Sequence, residues 1–187
     1  MGDGASGGSW DNSGGGGGGS ATNVELAGQE VMNDIAVALS RGITEFPELE
    51  AFANISEIRE GDFSHDVLGS WNSNGEITIQ RGLPAGGGID SREWVAAHEV
   101  AHGFAENPPR GFRTPEQTIL AATREFNSSQ RRTGSRRLTQ AGFARQISVY
   151  AKESPSEAIA EAFADWSING NNANIASRTI INNWRQP

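Results

Sequence analysis

The segment His98-Glu99-Val100-Ala101-His102 carries the strongest chemical signal in the chain. On a helix, the i, i+4 spacing sets both imidazoles on one face, one turn apart, where two nitrogens grip a single ion. Glu99 then projects beside the ion, placed to take a proton from water that the ion acidifies. Zinc suits imidazole and carboxylate ligands and needs no redox chemistry. Chance gives roughly 0.004 such patterns in a chain of this composition. The competing reading is a core and a surface histidine on an ordinary amphipathic helix. Against it, Ala96, Ala97 and Ala101 leave room at the motif, and two of the chain's 3 histidines sit there. His65, on an alternating stretch with no partner pattern, reads as structural.

A catalytic zinc needs a third protein ligand and one open position. The chain has 0 cysteines, which excludes a thiolate site, a disulfide scaffold, an iron–sulfur cluster and a cysteine nucleophile. A third histidine six residues past the second is also excluded, because Pro108 stands there. A carboxylate from a later helix remains. Glu157, Glu161 and Asp165 recur every four residues and form one acidic stripe, opposite an apolar face of Ile159, Phe163 and Trp166. The stripe has a plain reading as a solvated face, and Ser154 to Glu157 has one as a capping box with Pro155 at the first helical position. Yet three like charges repel, an Ala-rich helix packs closely on a neighbour, and a dication with a histidine N–H would relieve the repulsion. Glu157 is the favoured ligand.

The elements that must position these residues follow from periodicity. Thr22 caps a helix to about Ser40, with Val24, Val31, Ile35, Ala38 and Leu39 apolar and Arg41-Gly42 at its end. A weaker helical pattern covers 43–60. Asn74-Gly75 turns a hairpin over Asp66–Gln80, in which Ile77 and Ile79 alternate around Thr78. Residues 81–89 form a loop. Asp90 and Glu93 read as a capping-box start for the motif helix. A helix over Pro115–Phe126 and a polar loop over Ser128–Ser135 follow.

The 187 residues sum to a charge of -8, and the 24 glycines are unevenly spread. Ten of them lie in residues 1–20, so 1–22 reads as a flexible Gly-rich tail, with Trp10 solvated, and 23–187 as one folding domain. Residues 110–145 hold eight Arg against two Glu, an Arg-rich insertion of +6 within a remainder of -14. This insertion either balances an acidic body or docks an acidic partner or nucleic acid at Arg131, Arg132, Arg136 and Arg137. No run of eighteen apolar residues exists, so no membrane span is expected. No signal peptide is visible at the N-terminus, and location stays open between virion, bacterial cytoplasm and exported effector.

The motif helix, the strand Glu76–Gln80 before it, and the interval Tyr150–Glu157–Glu161 together resemble the gluzincin metallopeptidases of the anthrax-lethal-factor type, also found in bacterial toxins and phage head-associated proteins. The resemblance covers about 110 residues, from Gly69 to a helix over Ile175–Trp184. It implies an α+β zincin-like fold, with a small mixed sheet, an active-site helix and a second ligand-bearing helix. It further implies zinc held by His98, His102 and Glu157, Glu99 as general base, Glu161 orienting a ligand, and Tyr150 donating its O–H to the oxyanion. The substrate implied is a polypeptide lying along the Ile77–Ile79 strand as an added edge strand. The rival reading is a virion-associated or other interaction module that keeps this fold without turnover, and a toxin effector protease is a third.

Overall fold

Pairing with a neighbouring strand, rather than a buried apolar face, overrides the helical reading of Thr22–Leu26, all of whose residues are exposed. In the computed structural model, which describes residues 21–47, 55–64, 67–106, 108, 111–131 and 136–184, strand β1 runs over Thr22–Leu26. It pairs antiparallel with β2 (Glu57–Asp62), starting from Thr22 opposite Asp62, so the folded domain takes in the last residue of the expected tail. Helix α1 (Gln29–Glu45) begins only after Gly28, whose N–H donates to Glu60 at 2.7 Å. Its buried stripe is Val31, Ile35, Ala38 and Gly42. Gly42 does not end this helix. It lies inside, where a β-carbon would stand 2.6 Å from the Phe104 ring, so its bare backbone admits a core aromatic. The second expected helix is likewise corrected: Glu57–Asp62 is strand, and 48–54 lie outside the described residues.

The hairpin exists with a shorter first arm. Strand β3 (Gly69–Trp71) pairs antiparallel with β4 (Glu76–Gln80), with the Asn72–Gly75 turn between them. Since β2 runs parallel to β4, the mixed sheet has the order β1-β2-β4-β3. This places β4 in the interior, where Ile77 and Ile79 are fully buried. The strand expected to be a free edge therefore has neighbours on both sides, and β3 is the edge beside the motif helix. His65 lies outside the described residues.

Helix α2 (Arg92–Ala105) carries the motif, and every residue from Trp94 to Ala105 is buried. Its small side chains now have a reason: the helix is packed by β3 and β4 on one side and by α1 and α5 on others. Ser91 rather than Asp90 caps it, accepting the Trp94 N–H at 3.2 Å, while Glu93 turns back to accept the Gly86 N–H. Arg92 ties this end to α1 through Asp34 and Glu30, each at 2.5 Å.

Helices α3 (Pro115–Gln130) and α4 (Gln140–Ala144) occupy most of the Arg-rich segment. A capping box of Thr114 and Gln117 starts α3, and its last turn takes in Ser128, Ser129 and Gln130, expected as loop. Ile119, Ala122, Phe126 and Phe143 are buried, so the segment builds core, with Arg124, Arg131, Arg136, Arg137 and Arg145 exposed and Arg113 turned in to donate to Asn183. Asn127, 6% exposed, clamps Leu138 by accepting its N–H at 2.8 Å and donating to its carbonyl at 2.9 Å. Helix α5 (Pro155–Asn169) lies along α2, and α6 (Ile175–Trp184) closes the core with Ile180, Ile181 and Trp184. Among the described residues, no helix is long and apolar enough to cross a membrane.

Candidate metal centre

Two helices supply the cluster. On α2, His98 and His102 share one face, with ring centroids 4.8 Å apart. On α5, Ser154 accepts the Glu157 N–H at 3.1 Å, which satisfies the helix start through Glu157's backbone and leaves its carboxylate to turn toward the histidines. His98 Nε2 lies 3.1 Å from Glu157 Oε2, His102 Nε2 lies 3.5 Å from Glu157 Oε1, and the two Nε2 atoms are 3.1 Å apart. One ligand atom from each of the three residues lies within 4.8 Å of the other two, and all three residues are buried.

The far side of each imidazole has its own partner. His98 Nδ1 donates to Glu161 Oε1 at 2.9 Å, and His102 Nδ1 lies 3.1 Å from the Ser156 hydroxyl. A neutral ring whose Nδ1 carries the proton presents a bare lone pair at Nε2. Two such lone pairs then face each other across a carboxylate whose Oε2 is buried without a hydrogen bond. Three converging acceptors repel unless a cation stands among them, so this donor set fits a metal ion and the buried cluster is able to hold one.

Without metal, a proton takes that role. Burial alone pushes the His98 imidazole down, but the carboxylates of Glu157 and Glu161 beside it outweigh burial and lift it to about 10. Burial likewise pushes Glu157 up, and contact with His102 and His98 overrides it, holding the carboxyl at about 2. Glu99 is raised above the usual carboxylate range, chiefly by burial and partly offset by the two imidazoles. A carboxyl shifted toward neutrality is suited to accept and return protons.

A cleft of about 770 Å³ opens beside the cluster, with His98, Glu99, Tyr150 and Glu161 on its wall. Tyr150 begins a short 3-10 turn just ahead of α5, and its ring centroid is 5.9 Å from that of His98. The structure thus brings together His98, Glu99, His102, Tyr150, Glu157 and Glu161. Asp165 does not join them: it accepts from the Ser177 hydroxyl at 2.6 Å, the Asn174 N–H and the Asn169 amide, which anchors α6. Arg131, Arg136 and Arg137 are exposed and absent from the cleft wall, and Arg132 lies outside the described residues.

Three contributors escape sequence reasoning. Ser156 is one residue from the candidate ligand Glu157, and nothing in its type marks it. Trp94 sets its indole N–H 3.5 Å from Glu161 Oε1, and its spacing reads only as core. Gly69 on β3 presses so closely on α2 that a β-carbon would stand 2.6 Å from Glu99 Oε1. A glycine inside a strand pattern signals such close approach without naming the partner. Comparison of the chain with protein-family models, with curated proteins and with solved structures finds no match, so function has to be argued from the chemistry of this cluster.

Proposed function

We propose that the protein is a zinc-dependent peptidase with a zincin-like fold of the gluzincin kind. One observation carries the reading: two imidazoles and a carboxylate converge in a buried cluster, with Glu99 beside them on the wall of an open cleft. His98, His102 and Glu157 would hold the ion. Bound zinc supplies Lewis acidity, which makes water nucleophilic near neutral pH and polarises a peptide carbonyl.

The remaining steps belong to the chain. Glu99 takes a proton from the attacking water and returns it to the leaving amine, as its raised carboxyl allows. Tyr150 donates its phenolic O–H to the carbonyl oxygen as negative charge develops there. Glu161 keeps the His98 proton on Nδ1 and so holds Nε2 toward the ligand cluster.

Replacing Glu99 with Gln is expected to retain one equivalent of zinc and to lower peptide cleavage by about 100- to 10,000-fold. Metal stoichiometry and turnover of a peptide library, measured on both proteins, check this. Unchanged turnover removes Glu99 from its role. The exposed Arg124, Arg131, Arg136 and Arg137 favour a second reading, a docking module that keeps metal and fold without turnover. Zinc binding without any cleavage by the native chain would support it.

A further inference from the structure

The cleft beside the metal cluster has a charge pattern that the chemistry of hydrolysis does not require. Its wall is mostly apolar, built by Val67, Leu68, Val95, Ile89, Trp94 and Val149, and Ile89 and Val149 are themselves more than half exposed. Arg145 is the one Lys or Arg side chain that lines it among the described residues, and no ion pair among those residues includes its guanidinium. Arg145 stands in a stretch, 126–152, that contains Arg131, Arg132, Arg136, Arg137, Arg145 and Lys152 and no acidic residue.

The cleft also holds carboxylates, and their surroundings differ from those of Arg145. Asp90 immediately precedes the N-cap of the 14-residue α2, where the positive end of the helix dipole offsets its charge. Glu99 and Glu161 face the histidines. Arg145 follows the 5-residue α4, too short to develop a comparable field, and its sequence neighbours supply no anion. Among the described residues, the cleft wall therefore offers one guanidinium with no carboxylate partner.

We infer that Arg145 determines specificity, selecting a polypeptide in which a large apolar residue, seated in the cleft, is flanked by an aspartate or glutamate that pairs with the guanidinium. A guanidinium recognises a carboxylate through two parallel N–H bonds, and an apolar wall next to it strengthens the pairing by excluding water. A polypeptide fits better than a nucleic acid, since Val67, Leu68, Ile89, Val95 and Val149 are aliphatic and, of the rings on the wall, Trp94 and His98 are buried and Tyr150 alone is exposed for stacking. This inference rests on the peptidase reading and narrows its substrate class.

The test uses the full-length Glu99→Gln chain loaded with zinc and a displayed library of random peptides. The metal-stripped native chain is screened in parallel, in case the variant fails to fold. Captured peptides are expected to share a large apolar residue with an adjacent acid, preferred over a base by about fivefold, the upper range for an exposed ion pair. Adding Arg145→Glu should invert that preference toward Lys and Arg without changing zinc stoichiometry. Apolar peptides captured without charge preference, or with an acidic preference that survives Arg145→Glu, overturn the assignment and leave the peptidase reading standing. Failure to capture any peptide, with zinc still bound, defeats both. Capture of duplex DNA in place of peptides, weakened by Arg145→Glu, assigns the guanidinium to phosphate and overturns the inference as well.

Discussion

Three side chains at the candidate metal cluster, His98, Glu99 and Glu157, are pushed away from their ordinary titration ranges, and their pH dependence follows from which way each is pushed. Metal-free His98 keeps its extra proton up to about pH 10, so metal uptake near pH 8 must displace it. Roughly one proton is expected to leave per ion, with affinity rising about tenfold per pH unit below that value. Calorimetry in buffers of different ionisation enthalpy measures this directly, and a result of zero protons would mean that His98 is already neutral. The same groups shape the stability of the metal-free chain. His98 is raised from 6.5, so its contribution is complete below pH 6.5 and is lost as pH climbs through about 10. Glu157 is lowered from 4.5, so its contribution is complete above pH 4.5 and is lost as pH falls toward about 2. Urea midpoints of the metal-free protein are expected to peak between these limits. A midpoint still rising at pH 8 would contradict the His98 assignment, and one unchanged between pH 4.5 and 2 would contradict that of Glu157.

At the scale of elements, legibility depended on how far the deciding contact lies along the chain. The His98–His102 spacing, the Ser154 cap, the Asn74-Gly75 turn and the α6 helix are local patterns, and the sequence displayed them. Misreadings arose where a distant partner decides. Thr22–Leu26 is a strand because β2 lies alongside it, and Gly42 reads as a stop signal only while Phe104 is unseen. The position of β4 in the interior of the sheet depends on β2, whose pattern looked helical. Within the candidate site, the metal motif and two members of the acidic stripe, Glu157 and Glu161, were readable, whereas Ser156 acts through a hydrogen bond and Gly69 through a close approach that spacing does not encode. Gly42 offers a test in which the sign is informative. Gly→Ala in a helix interior ordinarily gains up to about 1 kcal/mol. Here the new methyl meets the Phe104 ring at 2.6 Å, and Gly42→Ala is expected to cost about 1–3 kcal/mol, read as a lower melting temperature. A higher melting temperature would mean that the ring moves aside freely.

Across the whole molecule, α2 is the axis on which the other parts are assembled. The sheet, α1 and α5 all bear on it, so the histidines are buried among several elements and the open cleft lies beside them. Arg124 is exposed on α3, while the inner faces of α3 and α4 belong to that same core, which is why the segment is no appendage. The Asn127–Leu138 clamp has a further consequence for this arrangement. It ties Asn127 directly to Leu138, so the two flanks of 128–137 are joined by side-chain hydrogen bonds as well as by the backbone. The protein should accordingly be divisible by a cut within 132–135. The first fragment would carry His98 and His102, the second Glu157, and neither alone has the complete ligand set. Mixed, the two are expected to re-form one particle that takes up zinc where the separate pieces do not. The metal would then serve as an optical or calorimetric reporter of complementation between two halves of a single polypeptide.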